Sequence, residues 1–176
     1  QTILSNSFIS NELRNEFERI YTSTQKTFFT LNKFAFLCKW KRSNLGCNSD
    51  MYLNPITEKD KNVLSIIHEN TKYLFTLVDV KKIISQSLST NDELYCDPQP
   101  IKNPYNNIPF SKSNLYKIYF FIKNSDYLVP PLFQYYFQCD FSLRKLLNQH
   151  EPSLRNKCIK KVSKNKEYNT SQLDYI

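Results

Sequence analysis

The chain has 176 residues, enough for a buried core, and 15% of them are aromatic. It carries 24 basic and 16 acidic residues, a net charge of +8. Its one glycine, Gly46, excludes glycine-rich phosphate loops, and no G-x-G-x-x-G, Walker, G-x-S-x-G or H-E-x-x-H motif is present.

Ser10 is placed as an N-cap, and Glu12 in the first turn suits the helix dipole. Leu13, Phe17, Ile20 and Tyr21 trace an apolar stripe, so a helix is expected over residues 10–22. A second helix is expected over Thr24–Arg42, with Phe28, Leu31, Ala35 and Cys38 on one face and Phe34 and Leu37 beside it. Its end is basic, with Lys39, Lys41 and Arg42 around Trp40. Those cations complement a helix C-terminus, and they are also candidate contacts for an anionic partner.

Ser43–Asp50 reads as a loop, and Met51–Ile56 as a short strand ending at Asn54-Pro55. Val63–Ile67 and Lys72–Leu77 read as two strands of a hairpin joined through His68-Glu69-Asn70-Thr71. Asp79 is placed as the cap of a short helix with Val80, Ile83, Ile84 and Leu88 inward. Residues 51–88 thus form a β-β-α element. Ser89–Pro100 is expected to wrap the surface, with Asp92, Glu93 and Asp97 as solvated acids rather than metal ligands.

Ile101–Ile122 is the most distinctive stretch. Pro104 and Pro109 fix φ and push Asn103 and Ile108 toward extended backbone. Asn106-Asn107 fits a tight turn, because Asn tolerates the left-handed region. Ser111 or Ser113 then caps a helix whose face is Leu115, Ile118, Tyr119 and Ile122, widened by Phe120 and Phe121. Pro104 and Phe110 are expected to anchor the loop, with Phe110 against Tyr119 or Phe133.

The wording NPYNNIPFSKSNLYKIYFFIK, Asn103–Lys123, resembles uncharacterised proteins of giant DNA viruses of the mimivirus kind. In that group an NPYxNxPF loop precedes an LYxIYFFI helix, and Asn103, Pro104, Tyr105, Pro109 and Phe110 carry the motif. Tyr52–Leu88 is similar to the same group. The resemblance implies a viral origin, and it brings no activity, cofactor or catalytic residue. A fainter resemblance, of Asp97-Pro98 and Asn103-Pro104-Tyr105 to the proline loop of U-box domains, departs in two ways. The spacing from Asn54-Pro55-Ile56-Thr57 is too long, and the expected tryptophan is absent.

After a break at Asp126–Pro131, Pro130-Pro131 suits the first turn of a helix with Leu132, Phe133, Tyr136 and Phe137 inward. Asp140 is placed as the cap of the next helix, and Pro152 starts the last. Tyr168–Ile176 reads as a polar tail. Residues 144–167 hold eight cations and two anions, a local charge of +6. Arg155, Lys157, Lys160, Lys161 and Lys164 are the candidate contacts there for phosphates or an acidic protein.

Cys38, Cys47, Cys96, Cys139 and Cys158 are scattered and odd in number, which points to free thiols in a reducing compartment, with no disulfide. With only His68 and His150 beside them, no zinc site is expected, and a Cys139–His150 dyad lacks a nucleophile's surroundings. No apolar run is long enough to cross a membrane.

The expected fold is mainly α with a small β-hairpin element. One domain is expected over 1–167, with N-terminal helices over 10–50 and a proline loop and helical half over 101–162. The expected function is binding rather than catalysis, without cofactors. The resemblance makes that a structural or virion-associated viral protein, partnered by other viral proteins in the host cytoplasm or the virion. The alternative is a nucleic-acid-binding accessory protein that uses residues 144–167.

Overall fold

The computed structural model describes residues 9–92 and 95–173, except for the side chains of Asp92, Val162 and residues 164–173. The fold is mainly α with a small β element, and the backbone groups into two compact units, Gln1–Asn44 and Leu45–Ile176.

The first unit is one helix, α1 (Asn11–Arg42). Ser10 caps it, its Oγ accepting the Leu13 N–H at 3.3 Å. The break expected near residue 23 does not form. Neither glycine nor proline interrupts the stretch, and Thr24, Thr27 and Thr30 donate their hydroxyls to the carbonyls of Ile20, Ser23 and Lys26. These polar side chains are therefore satisfied on the helix itself.

The chain continues into β1 (Asn44–Cys47), where a loop was expected. The strand joins β2 (Val63–His68) and β3 (Thr71–Thr76) in a sheet of order β1-β3-β2. A Cβ on Gly46 would lie 2.6 Å from Thr71 Cγ2 and 2.9 Å from Tyr73 Cε1, so this strand needs its glycine for close approach. Met51–Ile56 is a turn rather than a strand. Asp50 Oδ1 accepts the N–H groups of Tyr52 and Asn54, which curls the chain back on itself. The expected hairpin forms, with His68 and Thr71 inside the strands rather than in the turn and Leu77 in the following helix. His68 pairs with Thr71 across Glu69-Asn70, whose φ values of 49° and 61° suit a two-residue turn matched to strand twist.

The helix α2 (Leu77–Leu88) is capped by Thr76, not by Asp79. Thr76 Oγ1 accepts the Asp79 N–H at 3.1 Å while Asp79 Oδ2 accepts the Thr76 N–H at 3.3 Å. This is a capping box, and it moves the start of the helix three residues back. A two-stranded ribbon follows, β4 (Asn91–Asp92) with β5 (Tyr95–Cys96), inside the segment expected to wrap the surface.

The helical half is α3 (Lys112–Lys123), α4 (Pro131–Gln138) and α5 (Leu143–Leu173). Ser111 caps α3 and Pro131 opens α4, as expected. Asp140 does not cap α5. Asp140 and Phe141 both take φ of 54°, and Ser142 Oγ accepts the Lys145 N–H instead. At His150 the φ of −128° kinks α5 just before Pro152, which matches the expected restart. The helix continues through Leu173 over most of the expected tail, and residues 174–176 lie outside the described ones.

Ile66, Phe75, Ile84, Ile118, Ile122, Phe133, Leu146 and Leu154 share one core, each fully buried or nearly so. Burial of side chains this size stabilises by about 1.5–3 kcal/mol each. Phe120 does not join them; it is 46% exposed and meets Tyr119 and Phe137 in T-shaped contacts.

Candidate functional site

The proline loop is built against the hairpin. Asn103 is fully buried. Its N–H donates to the Ile108 carbonyl and its own carbonyl accepts the Asn107 N–H. Its side-chain Oδ1 accepts the Tyr105 N–H at 3.0 Å, which points Nδ2 at His68 Nδ1, 3.3 Å away. Asn106 repeats the device: Oδ1 accepts the Ile108 N–H, and Nδ2 sits 3.4 Å from the same His68 Nδ1. Two amide donors therefore converge on Nδ1, which makes it the acceptor. His68 Nε2 carries the hydrogen and donates it to the Pro109 carbonyl at 3.2 Å. Phe110 is buried, but against His68 and Phe75, at ring distances of 5.2 and 5.9 Å, rather than against Tyr119 or Phe133. The hairpin turns His68 inward beneath the loop, a long-range placement that helix periodicity could not reveal. Tyr105 donates to the Ser49 carbonyl and stacks on Tyr73, and burial pushes its phenol up. The side chains of Asn103, Tyr105 and Asn106 are all engaged within the fold, which makes this part of the loop a scaffold.

Of the basic candidates, Lys39, Trp40, Lys41 and Arg42 form the last turn of α1. Trp40 lies against Phe36, and the Lys39 carbonyl accepts both the N–H and the hydroxyl of Ser43. In α5, Lys157, Lys160 and Lys161 come together. They line one open groove with Ser85, Gln86 and Ser89 of α2 and its C-cap, about 370 Å³ in volume. Lys161 Nζ donates to the Ser89 carbonyl at 3.2 Å. Next to it, sharing Ser85 and Lys157, is an apolar cleft of about 300 Å³ walled by Ile84, Pro130, Leu132 and Tyr135. Arg155 points elsewhere, to Glu151 at 2.5 Å. The side chain of Lys164 lies outside the described residues.

The apolar pattern of α1 is the other feature. Leu13, Phe17, Ile20, Thr24, Phe28, Leu31, Ala35 and Cys38 recur in steps of three and four, with one stutter of two consecutive fours. That spacing makes a coiled-coil seam. No residue of α1 is buried, and Leu13, Ile20, Phe28 and Leu31 are each more than half exposed. Charge is split along its length. Residues 11–25 hold Glu12, Glu16 and Glu18 against Arg14 and Arg19, net −1, whereas 26–42 hold five cations and no anion, net +5.

Sequence reasoning missed one pairing altogether. Cys96 of β5 and Cys158 of α5, 62 residues apart, have their Sγ atoms 3.0 Å from each other. The Cys96 thiol is pushed up to about 12, first by burial and then by its hydrogen bond with Cys158.

No protein-family model, curated protein or solved structure matches the chain.

Proposed function

We propose that the protein acts by binding, as a structural component of a virus particle, with α1 as its assembly element. The observation that carries this is the 32-residue α1, in which no residue is buried although a coiled-coil seam runs most of its length. A helix with that much apolar surface gains its stability from a covering partner. The split charge selects the partner's direction. Antiparallel pairing with a second copy sets each −1 half against a +5 half, whereas parallel pairing sets +5 against +5. The viral setting rests on the likeness of Asn103–Lys123 to giant-virus proteins.

Sedimentation equilibrium on the full chain, with and without Phe28→Glu and Leu31→Glu together, tests the assembly element. A dimer that becomes a monomer with an unchanged core melt supports it, and a wild-type monomer at high micromolar concentration overturns self-pairing. Proteomics of purified particles tests the setting, since absence of the chain there removes the structural role.

A second reading, an anionic partner such as nucleic acid, is favoured by the convergence of Lys157, Lys160 and Lys161 on one groove. Each phosphate neutralised adds about −0.9 to the slope of log affinity against log salt. Replacing the three lysines by Gln then flattens the slope for a random duplex by roughly three such increments. Duplex binding that is weak at low salt excludes this reading.

A further inference from the structure

We propose that Cys96 and Cys158 are a dithiol pair that closes to a disulfide, clamping the β4–β5 ribbon onto α5. The geometry carries it. The two sulfurs are 3.0 Å apart, well inside van der Waals contact and about 1 Å beyond the ~2.05 Å of a formed bond. Both backbones are held in place by the fold, since α5 packs on β5 and Cys158 is 1% exposed in the wall of the core. Among the described residues no third His, Cys, Asp or Glu joins the pair, so the two thiols are not part of a metal-ligand cluster. The division of roles follows from exposure. Cys96 is partly exposed and meets the oxidant; Cys158 is buried and resolves.

The oxidant class is a low-molecular-weight disulfide, RSSR. The Cys96 thiolate attacks one sulfur of RSSR, the S–S bond breaks, and RS⁻ leaves to take up the proton that Cys96 gave to water. The Cys158 thiolate then attacks Cys96 Sγ in the mixed disulfide and displaces the second RS⁻, which is protonated in turn. Two protein thiols lose two hydrogens and two electrons, and one RSSR becomes two RSH. Attack needs the thiolate, and the raised Cys96 thiol supplies little of it at neutral pH. Glu151 disfavours that thiolate and Arg155 favours it, and these two side chains are paired with each other at 2.5 Å. The bond ties together two positions 62 residues apart, enclosing the proline loop, α3 and α4.

The test is the native chain held in buffers of oxidised and reduced glutathione, with intact mass and peptide mapping as readouts. The expected product has lost two hydrogens, yields one Cys96–Cys158 linked peptide, and unfolds at a higher temperature than the reduced form. In Cys158→Ser the expected product is a stable glutathione adduct on Cys96 with no internal link. Glu151→Gln is expected to close faster than wild type. Five free thiols in fully oxidising buffer, or a bond between any other two cysteines, overturns the proposal, and both outcomes are read on the wild-type chain.

Discussion

Two helices of this protein start alike and end in opposite environments. α1 and α3 are both aromatic-rich, and each is capped by a serine, Ser10 or Ser111, whose Oγ accepts an N–H three residues on at 3.3 Å. α3 buries Asn114, Leu115, Ile118, Tyr119 and Ile122 in 12 residues, whereas α1 buries none in 32. Local signals specify that a helix forms and which stripe is apolar. What covers the stripe is decided by distant residues. For α3 these include the hairpin, whose Ile67 carbonyl accepts from Asn114 Nδ2 at 3.2 Å, and Gln134 of α4, which takes the Tyr119 hydroxyl at 2.7 Å.

The sharpest way to break this contrast is to truncate one phenylalanine in each environment. Phe133 is fully buried and Phe29 is 65% exposed. Phe133→Ala is expected to cost about 3–5 kcal/mol, and Phe29→Ala to stay within about 0.5 kcal/mol, in denaturant melts. Phe110→Ala belongs with the first, because its ring closes the loop onto His68 and Phe75. Equal losses for Phe133 and Phe29 would mean that α1 is as deeply packed as the core.

The same contrast holds for polar groups. Asn103→Ala removes a buried donor to His68 Nδ1 and a buried acceptor for the Tyr105 N–H, at a cost of about 1–3 kcal/mol. Asn32 in α1 donates to the Phe28 carbonyl on an exposed surface. Its alanine variant is expected to melt with wild type. An Asn103→Ala melt that coincides with wild type would instead show the loop to be a loose attachment.

What was legible in the sequence follows the range of the interaction concerned. The hairpin was readable from its two β-forming runs, although the turn is Glu69-Asn70 alone and not the four residues His68–Thr71, and the proline loop because Pro104, Pro109 and Asn107 restrict their own backbone. The inward face of α3 was readable from 3.6-residue periodicity, apart from Phe120. Cap identity was misplaced at α2 and α5, because Asp79 and Asp140 are both plausible caps by type. Thr76 forms the capping box, and Asp140 is drawn off to Lys112 and Tyr116. The Cys96–Cys158 contact, the close approach at Gly46 and the convergence of Lys157, Lys160 and Lys161 with α2 all join residues far apart in the chain. Spacing carries no signal for these. Arg155 shows the limit of counting charge: it belongs to the same basic run but lies on another face, paired with Glu151.

Helix caps give a smaller test of the same division. Thr76→Ala opens the capping box of a helix with six buried residues, and is expected to lower global stability by about 1 kcal/mol. Ser10→Ala removes an equivalent bond from α1. There the expected change is lost helicity in the first turn, seen as faster amide exchange over residues 11–14, with the core melt unmoved. A matching shift in the core melt would tie α1 to the cooperative unit.

The smallest effect expected is electrostatic and sits at the surface between α3 and the turn after α4. Asp140 accepts from Lys112 Nζ and from the Tyr116 hydroxyl at 2.9 Å, and these bonds, the lysine's first, hold its carboxyl below the usual range. The sign of the linkage follows. A carboxyl whose folded value is depressed contributes stability above its unfolded value, about 3.9, and loses it as pH falls through the lower folded value. The group is solvent-exposed, so the contribution is small and screened by salt. Asp140→Asn is the clean probe, because asparagine tolerates the φ of 54° at that position. The difference in melting temperature between wild type and variant is expected to be constant from neutral pH down to about 5, to shrink below about 4, and to vanish below the folded value. It is also expected to narrow in high salt at neutral pH. A difference that widens on acidification would show that the turn is held by its backbone conformation and the neighbouring rings of Phe137 and Phe141, with the carboxylate a bystander.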